Sequence, residues 1–317
     1  MKAFGLGGYA LGCLGLTMLV HCVGMQAPAG VPPARVQASA GEIRKNHVRP
    51  SVLPQAGRHS LLYVASGNDV DVYQYPRGRL LGSLGVAGVY LCSDIGGNVF
   101  IPSGYFGTQI LVYAHGEAEP KATLNDPYPA VNCSVAPDSE RLAVTGSGGV
   151  VTFAYHAKRG WGYAKIYTDP DMTVAFCAYD NNGNLFVDGK DSSGNVMLAE
   201  MPKGSKAFTA IALDQRIGVA GTMQRDGKYL ALEDREDTGA PVIYRFAISG
   251  SSGVKVSKTT LVDSHAHAQF WIQGDRIIGP VDSGSTRAIG YWRFPAGGSP
   301  IKSFSDTFPS GEAVSLK

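Results

Sequence analysis

The residues best suited to do chemistry fall into three groups. Two are the oxygen-rich stretches "SDIGGN" at 93–98 and "DNNGN" at 180–184. The third is His265 and His267, with Asp263 close by. Closely spaced Asp and Asn side chains are hard-oxygen ligands, as in a calcium loop. Two histidines one residue apart point the same way on an extended segment, a spacing that zinc accepts. Neither pattern is complete. The residue eleven places after Asp180 is Asp191, not the glutamate that closes an EF-hand loop. No third strong ligand accompanies the two histidines. Asp, Asn and Gly are also what tight hairpins need, for side-chain-to-backbone bonds and positive φ. The motifs G-x-S-x-G and H-E-x-x-H do not occur. No cofactor is expected beyond a calcium or zinc ion held by these groups.

The elements that carry these residues repeat. "VYLCSDIGGNVFIPSG" from Val89 is echoed by "VNCSVAPDSERLAVTGSG" from Val131 and "AFCAYDNNGNLFVDG" from Ala175. "GTMQRDGKYLALED" from Gly221 and "QFWIQGDRIIGPVDSG" from Gln269 follow. Cys92, Cys133, Cys177, Met223 and Trp271 occupy equivalent positions, spaced 41, 44, 46 and 48 residues apart. After each inner hairpin comes a third strand, as in "ILVYAHG", and a fourth that ends in Asp, at Asp126, Asp169, Asp214, Asp263 and Asp306. Four strands per unit of about 43 residues is a propeller blade. The first unit, from Leu61, lacks its innermost strand, and the chain ends on an orphan strand, "EAVSL", at 312–316. The expected fold is therefore all-β: a six-bladed β-propeller over 61–317, closed when 312–316 pairs with 61–65.

The phrases "VYQYPRGRLLGSL", "ILVYAHGEAEPKATLNDP", "GNLFVDG", "FWIQG" and "FPAGGSP" resemble those of six-bladed propellers of the NHL-like type. More closely, they resemble a group of secreted bacterial propellers. The resemblance covers about 61–316. It is specific for fold and brings no catalytic residues with it.

The chain of 317 residues is 44% hydrophobic and 17% charged, with 41 glycines and a net charge of +2. That balance gives no sequence-wide attraction to nucleic acid. Lys2 followed by an apolar run to about residue 25 reads as an export leader over 1–29. "LVHC" ending at Cys22 is similar to a lipoprotein box but has His21 where a small residue is usual, so Cys22 is the lipidation candidate. An uncleaved anchor is the other reading. Residues 30–60 read as a flexible basic tether. The expected location is outside the cytoplasm of a bacterium: periplasmic, outer-envelope or extracellular, with the membrane met only through the leader or a lipid.

A propeller sorts its loops by face. The a–b and c–d turns share one face, where "DNNGN" falls and where Arg77, Arg79, Lys158, Arg159, Lys203, Lys206 and Lys255 make a basic surface. The b–c and d–a loops share the other, the usual binding face. There the candidate ligand-binding residues are Tyr105, Phe106, Tyr128, Asp169, Asp171, Asp188, Asp234, His265, His267 and Asp282. Asp263, His265 and His267 are the candidate metal ligands. The three inner-strand cysteines are expected to pack between blades, too far apart to bridge. No channel glutamate can be placed. The expected function is a non-catalytic scaffold that binds a protein, glycan or small ligand. The competing reading is a metal-dependent hydrolase or lactonase of the six-bladed propeller type.

Overall fold

The computed structural model describes residues 51–104, 107–235, 240–265, 268–282, 287–306 and 308–317, the side chains of 163, 164 and 282 excepted. All lie in the unit His47–Lys317. The strands run in chain order as Ser51–Val52 (β1), Leu61–Ser66 (β2), Asp69–Gln74 (β3) and Arg79–Ser83 (β4). Cys92–Ser93 (β5), Val99–Pro102 (β6), Gln109–Tyr113 (β7) and Pro120–Asn125 (β8) follow. Then come Asn132–Val135 (β9), Arg141–Gly146 (β10), Gly149–His156 (β11) and Gly160–Tyr167 (β12). Next are Thr173–Tyr179 (β13), Leu185–Lys190 (β14), Val196–Met201 (β15) and Thr209–Leu213 (β16). After them lie Ala220–Arg225 (β17), Leu230–Asp234 (β18), Val242–Ser249 (β19) and Ser252–Thr260 (β20). The last are Trp271–Gln273 (β21), Arg276–Asp282 (β22), Arg287–Arg293 (β23), Gly297–Ser305 (β24) and Pro309–Ser315 (β25).

The strands form antiparallel meanders β5–β8, β9–β12 and β21–β24, and an eight-stranded sheet in which β13–β16 and β17–β20 join through a parallel β16–β20 pair. The first sheet runs β1-β4-β3-β2-β25. Its inner strand is the C-terminal one: Leu61 pairs with Ser315 and Ala65 with Gly311. The chain end thus covers the inner edge of β2, which would otherwise present unpaired amides and carbonyls. The fold is a β-propeller.

Burial falls from the axis outward. β2, "LLYVAS", is buried along nearly its whole length, because sheets pack on both of its faces. β24, "GGSPIKSFS", lies at an outer edge and is mostly exposed, so its sequence is polar. The core is divided into layers between consecutive sheets. Phe100, Ile110 and Val112 of one sheet meet Leu142, Val144 and Phe153 of the next. The last layer joins Ile278, Ile289 and Tyr291 to Leu62, Val64 and Tyr73 of the first sheet.

Residues 51–60, expected to belong to the tether, are instead built into the first sheet. Ser51 and Val52 pair with Ser83 and Gly82 at its outer edge. A single 3-10 turn, Ala56–Arg58, buries Ala56 in the neighbouring core layer. The close approach depends on Gly116, where a Cβ would stand 2.6 Å from the Gly57 backbone. A basic composition concealed this, because one alanine and two short backbone pairings suffice to hold the segment.

Candidate functional site

The innermost strands face one another around the axis without a shared ladder, so their inward backbone groups need other partners. Side chains of the next inner strand supply them. Asn132 Oδ1 accepts the Cys177 N–H at 3.1 Å, and Ser134 Oγ accepts the Tyr179 N–H at 2.9 Å. Gln224 bridges to Ile272, accepting its N–H at 2.6 Å and donating to its carbonyl at 3.1 Å. The Ser93 hydroxyl donates to the Val314 carbonyl at 2.7 Å.

One tie is covalent and corrects the sequence reading. Cys92 and Cys133 form a disulfide, with Cα atoms 5.7 Å apart. The inner strands do not splay beyond bridging distance, because β5 and β9 converge at the axis. Cys177 keeps a buried free thiol, and burial pushes its pKa far up. Such a thiol is a packing residue with little thiolate to react.

A second correction concerns channel glutamates, of which the described residues hold two. Glu233, on β18, is buried and accepts from the Thr222 N–H at 3.2 Å, the Thr222 hydroxyl at 3.1 Å and Arg235 Nε at 2.8 Å. The Arg235 guanidinium is itself buried. It donates to the Ala268 carbonyl at 3.0 Å and to the Tyr90 hydroxyl at 3.4 Å. Its Cζ lies 4.6 Å from the Phe176 ring centroid and 5.6 Å from that of Tyr90. Burial alone would weaken its charge, but Glu233 outweighs that and raises its pKa. Glu312, on β25, is fully buried and neither carboxyl oxygen has a hydrogen-bond partner. Desolvation, with Asp306 and Glu233 adding to it, raises its pKa well above the ordinary value. Gln269 lies beside it, accepting the Glu312 N–H at 3.1 Å and the Leu91 N–H at 2.8 Å while donating to the Leu91 carbonyl at 2.7 Å. Together these residues fill the axis at its b–c/d–a end with one ion pair, one amide clasp and a buried, unpartnered carboxyl.

Of the expected ligand-binding residues, Asp188 belongs to this cluster rather than to an open surface. It is fully buried, and Oδ1 accepts the Phe176 N–H at 3.0 Å while Oδ2 has no partner. Desolvation raises its pKa well above the ordinary value. Asp234 is also buried, accepting the Gly218 and Val219 amides at 3.1 Å. Tyr128 packs its ring against Gly148, and its N–H is held by Asp126 at 2.9 Å. Asp169 Oδ1 caps its own turn by accepting the Asp171 N–H at 2.9 Å, and Asp171 is exposed. Asp263, with φ of 60°, and His265 are exposed on the same loop. Asp282 ends β22, its side chain not among those described. Tyr105, Phe106, His267 and Cys22 lie outside the described residues. Among the described residues no three of His, Cys, Asp and Glu come together as a metal would need.

The oxygen-rich loops close on themselves. Asp180 Oδ1 accepts the Asn182 and Asn184 amides at 2.9 and 2.8 Å, and Oδ2 accepts Asn184 Nδ2 at 3.0 Å. Asp94 holds Asn98 in the same way, at 2.8 Å to the N–H and 2.6 Å to Nδ2. The axis opens at this a–b end into a cavity of about 220 Å3, lined by the disulfide, Cys177, Asn132, Gln224 and Trp271 among others.

No protein-family model matches the chain, and no curated protein matches its sequence. Solved structures do match its shape. A chain of the nidogen/laminin complex superposes with a TM-score of 0.63 at 11% identity, covering 81% of this chain and 98% of that one. TolB from Acinetobacter baumannii gives 0.54 at 11% identity, covering 84% and 68%. The dihydro-heme d1 dehydrogenase NirN gives 0.51 at 13% identity, covering 83% and 76%. At such identities the likeness carries the propeller fold and nothing finer.

Proposed function

We propose that the chain is an exported, non-catalytic six-bladed β-propeller of the NHL-like type, working as a binding scaffold. The observation that carries this reading is the filled axis. Glu233, Arg235, Gln269 and Thr222 spend their polar atoms on one another and on backbone groups of neighbouring sheets. Residues so committed stiffen a platform; they do not converge on a substrate. Binding then falls to the faces, and first to the b–c/d–a loop face, with Asp169, Asp171 and His265 among the described residues and Tyr105, Phe106 and His267 beyond them. The ligand is a protein, glycan or small molecule. The count of six blades takes the eight-stranded sheet as two blades joined by the β16–β20 pair. The Cys92–Cys133 disulfide supports export, since such bonds persist in oxidising compartments. No helix among the described residues is long and apolar enough to cross a membrane.

One observation favours the second reading, a metal-dependent hydrolase. Asp188 Oδ2 and both oxygens of Glu312 are buried near the axis without hydrogen-bond partners. Carboxylates of that kind are what a divalent ion would take. Calcium and zinc titrations followed by thermal unfolding separate the two. A bound ion at a hundred times its Kd adds about 2.7 kcal/mol of stability. The scaffold reading expects no shift; a saturable shift abolished by Asp188→Asn would overturn it.

A further inference from the structure

We propose a phosphate-binding pocket on the basic a–b/c–d face, between the sheets β9–β12 and β13–β16. It goes beyond the scaffold reading, which looks to the opposite face. A cavity of about 220 Å3 opens there, lined by four cationic side chains: Arg141, Lys165, Lys203 and Lys206. Two tyrosines, Tyr167 and Tyr179, also line it. Among the described residues the only carboxylate paired with these cations is Asp138, which meets Arg141 Nη2 and Lys203 Nζ, each at 3.3 Å. Lys165 and Lys206 make no ion pair among the described residues. The pocket therefore carries a surplus of positive charge, where most surface lysines stand beside an acid or in open water.

The pocket is also built rather than accidental. Arg141 is half-buried, and its guanidinium lies 5.3 Å from the Tyr179 ring centroid. Its Nη1 donates to the Gly183 carbonyl at 3.3 Å. Gly183, with φ of +79°, gives it room: a Cβ there would stand 2.4 Å from Arg141 Nη2. The guanidinium is thus fixed at the rim of the cavity before any ligand arrives, with little rotamer freedom left to lose. Asp138 is held ionised: burial raises its pKa, but the Glu140 N–H, Arg141 and Lys203 together bring it below the ordinary value. The nearly buried Tyr179 adds its phenol to the cavity wall. A fixed guanidinium, lysine point charges and phenolic donors around a small cavity are the donor set of a phosphate site.

The shared ligand chemistry is a phosphate group on a molecule of about monosaccharide size, free or as a lipid headgroup. The test uses glucose 6-phosphate against glucose in calorimetry at low salt, and cosedimentation with vesicles containing phosphatidylglycerol. Saturable binding is expected in at least one phosphate arm and none with glucose. Lys165→Ala/Lys206→Ala, at two exposed positions outside the core, should weaken it at least about tenfold, since two point charges facing the phosphate are lost. The charge reversal Lys165→Glu/Lys206→Glu should abolish it while the unliganded melting temperature stays unchanged. Absence of saturable binding in both arms, or binding that survives the charge reversal, overturns the proposal. Neither result bears on the metal titrations, so the two readings fail separately.

Discussion

Replacing Glu312 with Gln tests whether the axis holds a protonated carboxyl. The folded chain raises the Glu312 pKa by burial, with Asp306 and Glu233 pushing the same way. In the unfolded chain Glu312 titrates near the ordinary glutamate value of about 4.3. Folding therefore takes up a proton at any pH between the two values. The carboxyl's contribution is intact below the unfolded value and is lost as pH rises toward the folded one. In that window each pH unit removes up to about 1.4 kcal/mol of stability. Gln cannot ionise, so the variant lacks this slope. It does carry amide donors that find no partner where Glu312 has none, at a cost of about 1–3 kcal/mol. The variant should thus melt below the wild type near pH 3, well below the unfolded value, where both states keep the proton. The two curves should then cross. For a domain of this size the gap should close and reverse by roughly 3–6 °C per pH unit. Asp188 also has a raised pKa, but it is present in both proteins and cancels from the difference. The assay is calorimetric melting at several pH values in constant ionic strength. Parallel curves would refute the reasoning, since they would mean that Glu312 is hydrated and ionised inside the fold.

Three further perturbations follow from the same geometry. Arg235→Met leaves Glu233 buried without its partner and should cost about 3–5 kcal/mol in urea unfolding. Adding Glu233→Gln should recover part of that, and no recovery would argue against the pair. Replacing Cys92 and Cys133 with Ser opens a link spanning 41 residues. On loop entropy it should cost about 4 kcal/mol, and reduction of the wild type should cost the same. In mass spectrometry of the denatured, unreduced protein, only Cys177 of the three should be alkylated. A truncation ending at Ser310 removes most of β25 and should abolish cooperative melting, whereas a melt like the full chain's would mean that closure does not depend on this strand.

The repeat, the order of strands and the closing pair were legible, because each rests on periodicity and turn chemistry. Five inner residues at matched positions in the sequence pair with core residues as expected: Cys92 with Phe100, Cys133 with Val144, Cys177 with Val187, Met223 with Leu232 and Trp271 with Ile278. The disulfide was not legible, because inner-strand separation depends on how tightly the sheets converge, which no hydrophobic pattern encodes. The buried acids did leave a signal. Asp188 in "LFVDG" and Glu233 in "LALED" each follow directly the second-strand residue of those matched pairs, amid apolar neighbours. A charge at a repeated core offset calls for a partner. Arg235 stands two residues beyond Glu233, the spacing that shares one side of an extended chain. Asp188 reads instead as an exposed loop residue because it stands next to Gly189 and Lys190, a pair that suits the start of a loop.

The ties around the axis are not spread evenly, and their distribution bears on what the ring must resist. A propeller closed by pairing its two chain ends has one seam held by a strand from the far terminus. Polar contacts gather there. Asp306 accepts from the Tyr73 hydroxyl at 2.7 Å and from Ser66. The Ser310 hydroxyl lies within reach of the carbonyls of Ala65 and Val89, at 3.2 and 3.3 Å, and shares its one proton between them. Ser93 reaches Val314, and Gln269 holds both Glu312 and Leu91. These contacts join the last sheet, the first and the second, so opening the seam breaks bonds in three sheets at once. Glu312 sits among them with its carboxyl unpartnered. Its ionisation would place a charge inside the closure itself. The pH slope of that one residue therefore reports on the seam and, through it, on how firmly the whole ring is shut.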